Sequence, residues 1–134
     1  MPFIIYPQQD NKLAVIIPTG AVEDALKDVP AETPYAIVDS IDVDNDYFDG
    51  FIYESGQAVP DIAKDKNIHL NKFREARAPK LSKLDVDYMK AFEVEDHAKA
   101  SEIAVKKQEL RDITKIELPD TLPEIKSTWP NILL

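Results

Sequence analysis

Cysteine is absent from the 134-residue chain, which excludes disulfides, thiol nucleophiles and zinc sites with cysteine ligands. Glycine occurs only at Gly20, Gly50 and Gly56, and this spacing cannot build the glycine-rich loop that holds phosphate in nucleotide-binding proteins. No serine lies in a G-x-S-x-G context, the setting of many serine nucleophiles. We therefore expect a protein that is not an enzyme and needs no cofactor.

Positive charge is also scarce, with 16 basic against 25 acidic residues and a net charge of -9. This balance argues against general binding to nucleic acid or to an anionic membrane surface, because both need basic side chains. The longest apolar run, residues 13–17, is far shorter than the roughly 20 residues of a membrane span. The opening MPFIIYPQQD has no basic segment before a long apolar stretch, so no signal peptide is expected. We predict neither nucleic acid nor membrane as a partner.

The first sixty residues have the pattern of short strands. FIIYP and LAVIIP are β-branched apolar runs joined by the polar link QQDNK, which is typical of a hairpin. A short helix is expected at residues 21–27, with Thr19 as its N-cap. Strands are expected at residues 3–7, 13–18, 35–39, 48–55 and 57–59. Residues 1–60 are therefore predicted to form a small antiparallel β-rich lobe with one short helix.

The composition changes after Pro60, since residues 61–113 contain one proline and no glycine. Asp61 is the expected N-cap of a long helix whose apolar stripe keeps its phase across Pro79, which favours one kinked helix over a break there. The alternative starts a new helix with Pro79 in its first position. The stripe consists of Leu70, Phe73, Arg77, Leu81, Leu84, Tyr88 and Phe92.

A second helix is expected at residues 97–112, with Asp96 as its N-cap. A short link between two such helices predicts an antiparallel helical hairpin over residues 61–113. Lys107 is expected to lay its aliphatic stem along the apolar face of the second helix.

Residues 114–134 contain three prolines and the single tryptophan. They are predicted to form an extended Pro-rich C-terminal arm. Trp129 either folds back onto the hairpin of its own chain or anchors a neighbouring protein, and both interpretations stay open. The predicted fold class is thus α+β: a β-rich N-terminal lobe, a long helical hairpin and an extended arm.

An acidic stretch near residue 44 is a candidate calcium loop. Asp42, Asp44 and Asp46 alternate, and clustered carboxylates are calcium ligands. The EF-hand pattern fails, however, because Tyr47 stands where glycine is needed and Tyr53 where glutamate is needed. A solvated acidic loop is the favoured interpretation, and no metal is expected.

The two histidines, His69 and His97, lie near opposite ends of the long helix, about 40 Å apart at 1.5 Å per residue. This separation excludes a shared metal site, and surface positions are expected for both.

Basic side chains cluster on the first half of the long helix. They form either a solvated face or a docking stripe for an acidic partner. Arg77 lies within the apolar stripe, so its guanidinium is expected to pair with a carboxylate, Asp112 or Asp85. The cluster consists of Lys72, Arg74, Arg77, Lys80 and Lys83.

The segment KFREARAPKLSKLDVDYMKAFEVEDHAKASEIAVKKQELRDIT and the following LPDTLPEIKSTWP resemble the C-terminal region of small tailed-bacteriophage proteins of the tail-assembly chaperone-like or tail-fibre-associated type. The shared pattern has spaced arginines, an LxxLD helix, an aromatic, an acidic turn, KKQxLRD and a terminal WP. VPAETPYAIVDS matches a further upstream segment, with Glu32 in place of the usual glycine, and DGFIYE stands where that pattern has an aromatic AW. The resemblance covers roughly residues 28–130.

The resemblance implies a non-enzymatic bacteriophage tail protein that binds tail or tail-fibre proteins, as a virion component or as an assembly chaperone. Its expected location is the virion tail, or the host cytoplasm during assembly, and a homo-oligomer in the tail is a further expectation. The alternative is an acidic phage-encoded inhibitor of a host protein. The residues expected to bind the partner are Arg74, Arg77, Tyr88, Arg111, Trp129 and Pro130.

Overall fold

The computed structural model describes residues 2–134, and the chain folds as two compact units, Met1–Asp65 and Lys66–Leu134. Among the described residues, the first unit contains five strands and the second is helical, so the predicted α+β class is confirmed. The predicted division into 1–60, 61–113 and 114–134 stays a prediction.

The first unit contains a three-stranded antiparallel sheet. Its strands are β1 (Phe3–Pro7), β2 (Leu13–Ile16) and β3 (Ala36–Val38), in the order β2-β1-β3. The central strand β1 buries Ile4 and Ile5 completely. β-Branched side chains suit this position because they pack well on a pleated surface.

A second, two-stranded sheet pairs β4 (Phe51–Glu54) with β5 (Gln57–Pro60) in antiparallel register. Their two-residue turn has positive φ at both positions, 51° at Ser55 and 83° at Gly56. A turn of this kind matches the twist of the paired strands, and glycine adopts it without steric cost. The described strands of the predicted β-rich lobe therefore form two antiparallel sheets, of three and two strands.

Two local predictions in this unit are wrong. The strand expected from residue 48 begins at Phe51, because Asn45–Gly50 form a 3₁₀ turn whose start is capped by the Asp44 carboxylate, which accepts the Asp46 N–H at 2.9 Å. The short helix α1 covers only Val22–Ala25 and is followed by the 3₁₀ turn Leu26–Asp28. Thr19 does not cap α1, since the preceding residue is Ala21 and no side chain bonds to the first turn.

The long helix α2 runs from Ile62 to Glu93 without interruption at Pro79. Its start is capped as predicted, since the Asp61 carboxylate accepts the N–H of Ala63 at 3.1 Å. Helix α3 (His97–Asp112) has the predicted bounds, and the Asp96 carboxylate accepts the N–H of Lys99 at 3.1 Å. Both caps satisfy helix N–H groups that have no partner within the helix.

Helices α2 and α3 pack as an antiparallel hairpin within the second unit. Near the connecting turn, Ala91 of α2 is buried with Ala100 and Ile103 of α3, and Leu84 and Tyr88 pack against them. The small side chains of Ala91 and Ala100 allow the two helices to approach closely. The contacts confirm a hairpin-like arrangement.

The prediction of an extended C-terminal arm is wrong, because much of the segment after α3 is helical. Helix α4 covers Leu122–Ser127 and buries Ile125, and short 3₁₀ turns are formed at Ile113–Lys115 and Asn131–Leu133. Proline in the first turn of a helix is tolerated, because the N–H that it lacks would have no helical acceptor there. Pro123 therefore starts α4 instead of preventing it.

Candidate partner-binding surface

Arg77 of α2 holds the C-terminal end of α3. Its guanidinium nitrogen Nη1 donates to the carbonyl oxygens of Leu110 at 3.2 Å and Arg111 at 3.0 Å. The last carbonyls of a helix have no helical donor and carry partial negative charge, so a guanidinium is well placed there. The expected carboxylate partner was wrong: Arg77 binds helix-end carbonyls.

The two carboxylates considered for Arg77 have other partners. Asp85 accepts from Lys107 Nζ at 2.6 Å across the hairpin. Asp112 accepts from Gln108 at 2.9 Å and pairs with Lys115 at 3.0 Å. These hydrogen bonds, that from Lys115 first, lower the pKa of Asp112. The partners of Asp112 are therefore close to it along the chain and do not include Arg77.

Tyr88 lies where the hairpin side chains meet. Its ring stacks on Phe92 with ring centres 6.3 Å apart, and Lys107 Nζ is 5.3 Å from the ring centre. The Lys107 side chain is largely buried at 17% exposure, as expected for an aliphatic stem packed along the hairpin. Tyr88 itself is half-buried.

Trp129 packs against α2 of its own chain. Its ring lies 5.3 Å from Phe73 and 6.1 Å from His69, both edge-on. Phe73 is fully buried and Trp129 keeps 38% of its surface exposed. The geometry corresponds to the fold-back interpretation, and the exposed part of the ring is the part that a partner could reach.

His69 is 2% exposed, so the surface position predicted for it was wrong. Its Nε2 lies 2.7 Å from the carbonyl oxygen of Thr128. Because a carbonyl only accepts, Nε2 carries the proton and donates it. This bond holds the residue next to Trp129 against α2.

The other predicted partner-binding residues are dispersed in the second unit. Arg74 is exposed and donates to Asn71 Oδ1 at 2.6 Å on its own helix. The Arg111 side chain is exposed at the end of α3, and Pro130 is half-buried beside Trp129. The structure brings Arg77 to the Arg111 backbone, but it does not gather the six residues into one site.

An exposed apolar surface lies at the turn end of α2, and the sequence pattern did not predict it. We call it the hairpin-end patch, defined by Val86, Met89, Phe92 and Val94, which are 53%, 55%, 54% and 74% exposed. On α2 the first three are spaced by three residues, so they are neighbours on the helix surface.

Phe92 had been assigned to the buried stripe of α2, and this was wrong. It follows Phe73 by 19 residues. At 3.6 residues per turn that spacing places it roughly 100° around the helix from Phe73. Steps of four residues therefore drift away from the buried face.

The first unit contains a buried acid that sequence patterns did not reveal. Asp65 is 0% exposed, and no described residue donates a hydrogen bond to either of its carboxylate oxygens. Burial, followed by repulsion from Asp61, raises the pKa of Asp65 to about 6. Burial also raises the pKa of Tyr47, with further contributions from Asp44, Asp46 and Asp65. An acid with a raised pKa can serve catalysis, but Asp65 has no exposed surface through which to meet a substrate.

Within residues 2–134, no three histidine or carboxylate side chains come together as ligands for a metal ion. Asp44 of the acidic stretch instead caps the turn that follows it. None of the helices described here is both long and apolar enough to cross a membrane.

No protein-family model matches the chain, and no curated protein or solved structure shows significant similarity to it.

Proposed function

We propose that this chain is a non-enzymatic bacteriophage tail protein that binds tail or tail-fibre proteins, as a component of the virion tail or as an assembly chaperone. The bacteriophage part of the proposal is supported by the sequence resemblance over residues 28–130. The binding part is supported by the hairpin-end patch, which is the observation that carries the proposal.

The hairpin-end patch is a protein-binding surface on energetic grounds. Single exposed apolar residues are ordinary, whereas adjacent ones commonly mark sites of association. Each of its four side chains has more than half of its surface in water. Covering this exposed apolar surface would stabilise a complex by about 1 kcal/mol per side chain.

The partner is expected to contact the patch and the half-buried Tyr88, which stacks on Phe92. Aromatic side chains are enriched among the residues that dominate binding energy. A homo-oligomer within the tail belongs to the same proposal, with ring symmetry as its basis. Sedimentation of the purified chain measures self-association directly.

The test is recovery of tail or tail-fibre proteins from phage-infected lysate by the immobilised chain, compared with a Met89→Ala/Phe92→Ala variant. We expect the variant to lose about tenfold or more of the captured tail protein. Ile17→Ala is the matched control, because Ile17 is 65% exposed but lies in the first unit. Capture of a host enzyme alone would favour the acidic-inhibitor alternative and overturn the proposal.

Mass spectrometry of purified particles then separates the two roles. Peptides recovered in fixed proportion to the major tail proteins identify a virion component. Abundance in the lysate with absence from mature particles identifies an assembly chaperone.

A further inference from the structure

A second surface of the helical unit adjoins the hairpin-end patch at Val94 and has a different chemistry. Two depressions lie between α2 and α3, with cavity volumes of about 430 and 500 Å³. They share Asp87 in their linings, so they are neighbours on one side of the hairpin. We call them together the inter-helix groove.

The floor of the inter-helix groove is apolar. Leu84, Leu110 and Ile132 line the first depression, and Ala91 lines the second. Val94, at the edge of the second depression, also belongs to the hairpin-end patch. Leu110 and Ala91 are buried and belong to the hairpin core. An apolar floor stabilises a bound apolar side chain through the area that both remove from water.

The rim of the inter-helix groove is mainly basic, in a chain whose net charge is -9. Five lysines line it against three acidic side chains, Asp87, Asp96 and Glu109. Lys80 donates to the Leu134 carbonyl at 3.1 Å. No described residue forms an ion pair with the other four, which are Lys83, Lys90, Lys99 and Lys106.

The backbone of the two helices also limits which peptide conformation can bind in the groove. Its walls are two helices, whose interior N–H and C=O groups are bonded within each helix. An extended peptide would find no backbone partners there, whereas a helix brings its own hydrogen bonds. From Lys80 to the end of α2 at Glu93 the wall is about 20 Å long at 1.5 Å per residue, enough for roughly 14 helical residues.

We propose that the inter-helix groove binds an amphipathic, acidic helix of a protein partner, with apolar side chains on the floor and carboxylates beside the four lysines. The proposal rests on the proposed function only in taking the chain to be a protein-binding module. It adds a second contact surface and the chemistry of what binds there.

The test uses a synthetic helical peptide of about 14 residues with leucines on one face and glutamates on the other, labelled for fluorescence anisotropy. The control peptide replaces every glutamate with lysine. We expect the acidic peptide to bind at least about tenfold more tightly than the basic one, and to weaken as salt is raised. Amide chemical shifts that change along residues 80–110 would place the peptide in the groove.

Charge reversal at the rim lysines is the second part of the test. Lys83→Glu/Lys106→Glu should weaken the acidic peptide by about tenfold or more. Lys27→Glu is the control, since Lys27 is exposed and lies outside the groove, in the first unit. Both lysines of the test variant are exposed, so circular dichroism is expected to be unchanged, and Lys90→Glu provides an independent single change.

Several results would overturn the proposal. Equal binding of the two peptides would show simple apolar adhesion, and an unaffected Lys83→Glu/Lys106→Glu variant would place the contact elsewhere. Tighter binding of a labelled single-stranded DNA than of the acidic peptide would assign the lysines to phosphates instead. The synthetic peptide separates this proposal from the proposed function, since its binding does not depend on any tail protein.

Discussion

Asp65 and His69 are both buried in α2, four residues apart, and they belong to different units. They differ in whether their polar atoms have hydrogen-bond partners. His69 donates to the Thr128 carbonyl, whereas neither Asp65 oxygen accepts a hydrogen bond from a described residue. A buried polar group with a partner stabilises a fold modestly, while one without a partner costs free energy. The second unit therefore uses its buried polar group as a tether, and the first unit carries a pH-dependent cost.

The largest expected effect concerns Asp65. Its folded pKa of about 6 lies above its ordinary value of 3.8, so the folded chain holds the proton more tightly than the unfolded chain. The contribution to stability is present below the unfolded pKa and is lost as the pH rises through about 6. Between about pH 3 and about pH 8 this amounts to up to about 3 kcal/mol.

Asp65→Asn should remove that pH dependence, because an amide does not titrate in this range. Urea denaturation followed by circular dichroism at several pH values measures it, with exposed Asp24→Asn as the control. Parallel pH profiles for the wild type and Asp65→Asn would show that the Asp65 carboxyl is not effectively buried.

The next effect concerns Trp129, whose ring covers Phe73 and His69. Trp129→Ala should lower the free energy of unfolding by about 2–3 kcal/mol, less than for a fully buried tryptophan because the ring is 38% exposed. Differential scanning calorimetry measures the loss, and sedimentation of the same variant tests its effect on association. If association weakens while the melting temperature is unchanged, Trp129 anchors a partner and not its own chain.

His69→Leu isolates the tether, since it keeps an apolar side chain of similar size beside Phe73. We expect a loss of about 1–3 kcal/mol, because the Thr128 carbonyl loses its donor. Faster amide exchange in residues 121–134 should accompany the loss. Unchanged exchange there would show that the ring contacts of Trp129 hold this segment without the hydrogen bond.

The smallest effect is expected at Arg77, a second polar tether in the helical unit. Arg77→Lys keeps the charge at the end of α3 but loses the planar donor that reaches both Leu110 and Arg111. A loss of about 1 kcal/mol in urea denaturation is expected. Arg74→Lys is the control, since Arg74 is exposed and bonds only to Asn71 in the same helix.

Local signals predicted the helical hairpin well. Asp61 and Asp96 cap the helices that they were expected to start, and α2 continues through Pro79 as favoured. Caps and periodicity are encoded within a few residues, so one sequence is enough to find them. Pro123 misled the prediction because the same residue ends a helix from inside and starts one from its first turn.

The candidate surfaces and the buried polar groups could not be predicted from the sequence in the same way. Asp65 lies in the first turn of a helix, where an acid is ordinarily favourable and solvated. Its burial depends on tertiary packing that no local pattern records. The hydrogen bond of His69 to Thr128 could not be predicted from local sequence, because the two residues are 59 positions apart in the chain. The hairpin-end patch was missed because Val86 and Met89 lie outside the apolar stripe that defines the buried face.

The strand order β2-β1-β3 has a consequence for the folding rate. β1 meets β2 through a short link and β4 meets β5 through two residues, so both hairpins can form within microseconds. β3 reaches β1 only after the long segment that carries α1 has closed into a loop, which costs more chain entropy. We therefore expect β3 to be the last strand to join the sheet during refolding. Its pairing with β1 is then the rate-limiting step in the folding of the first unit.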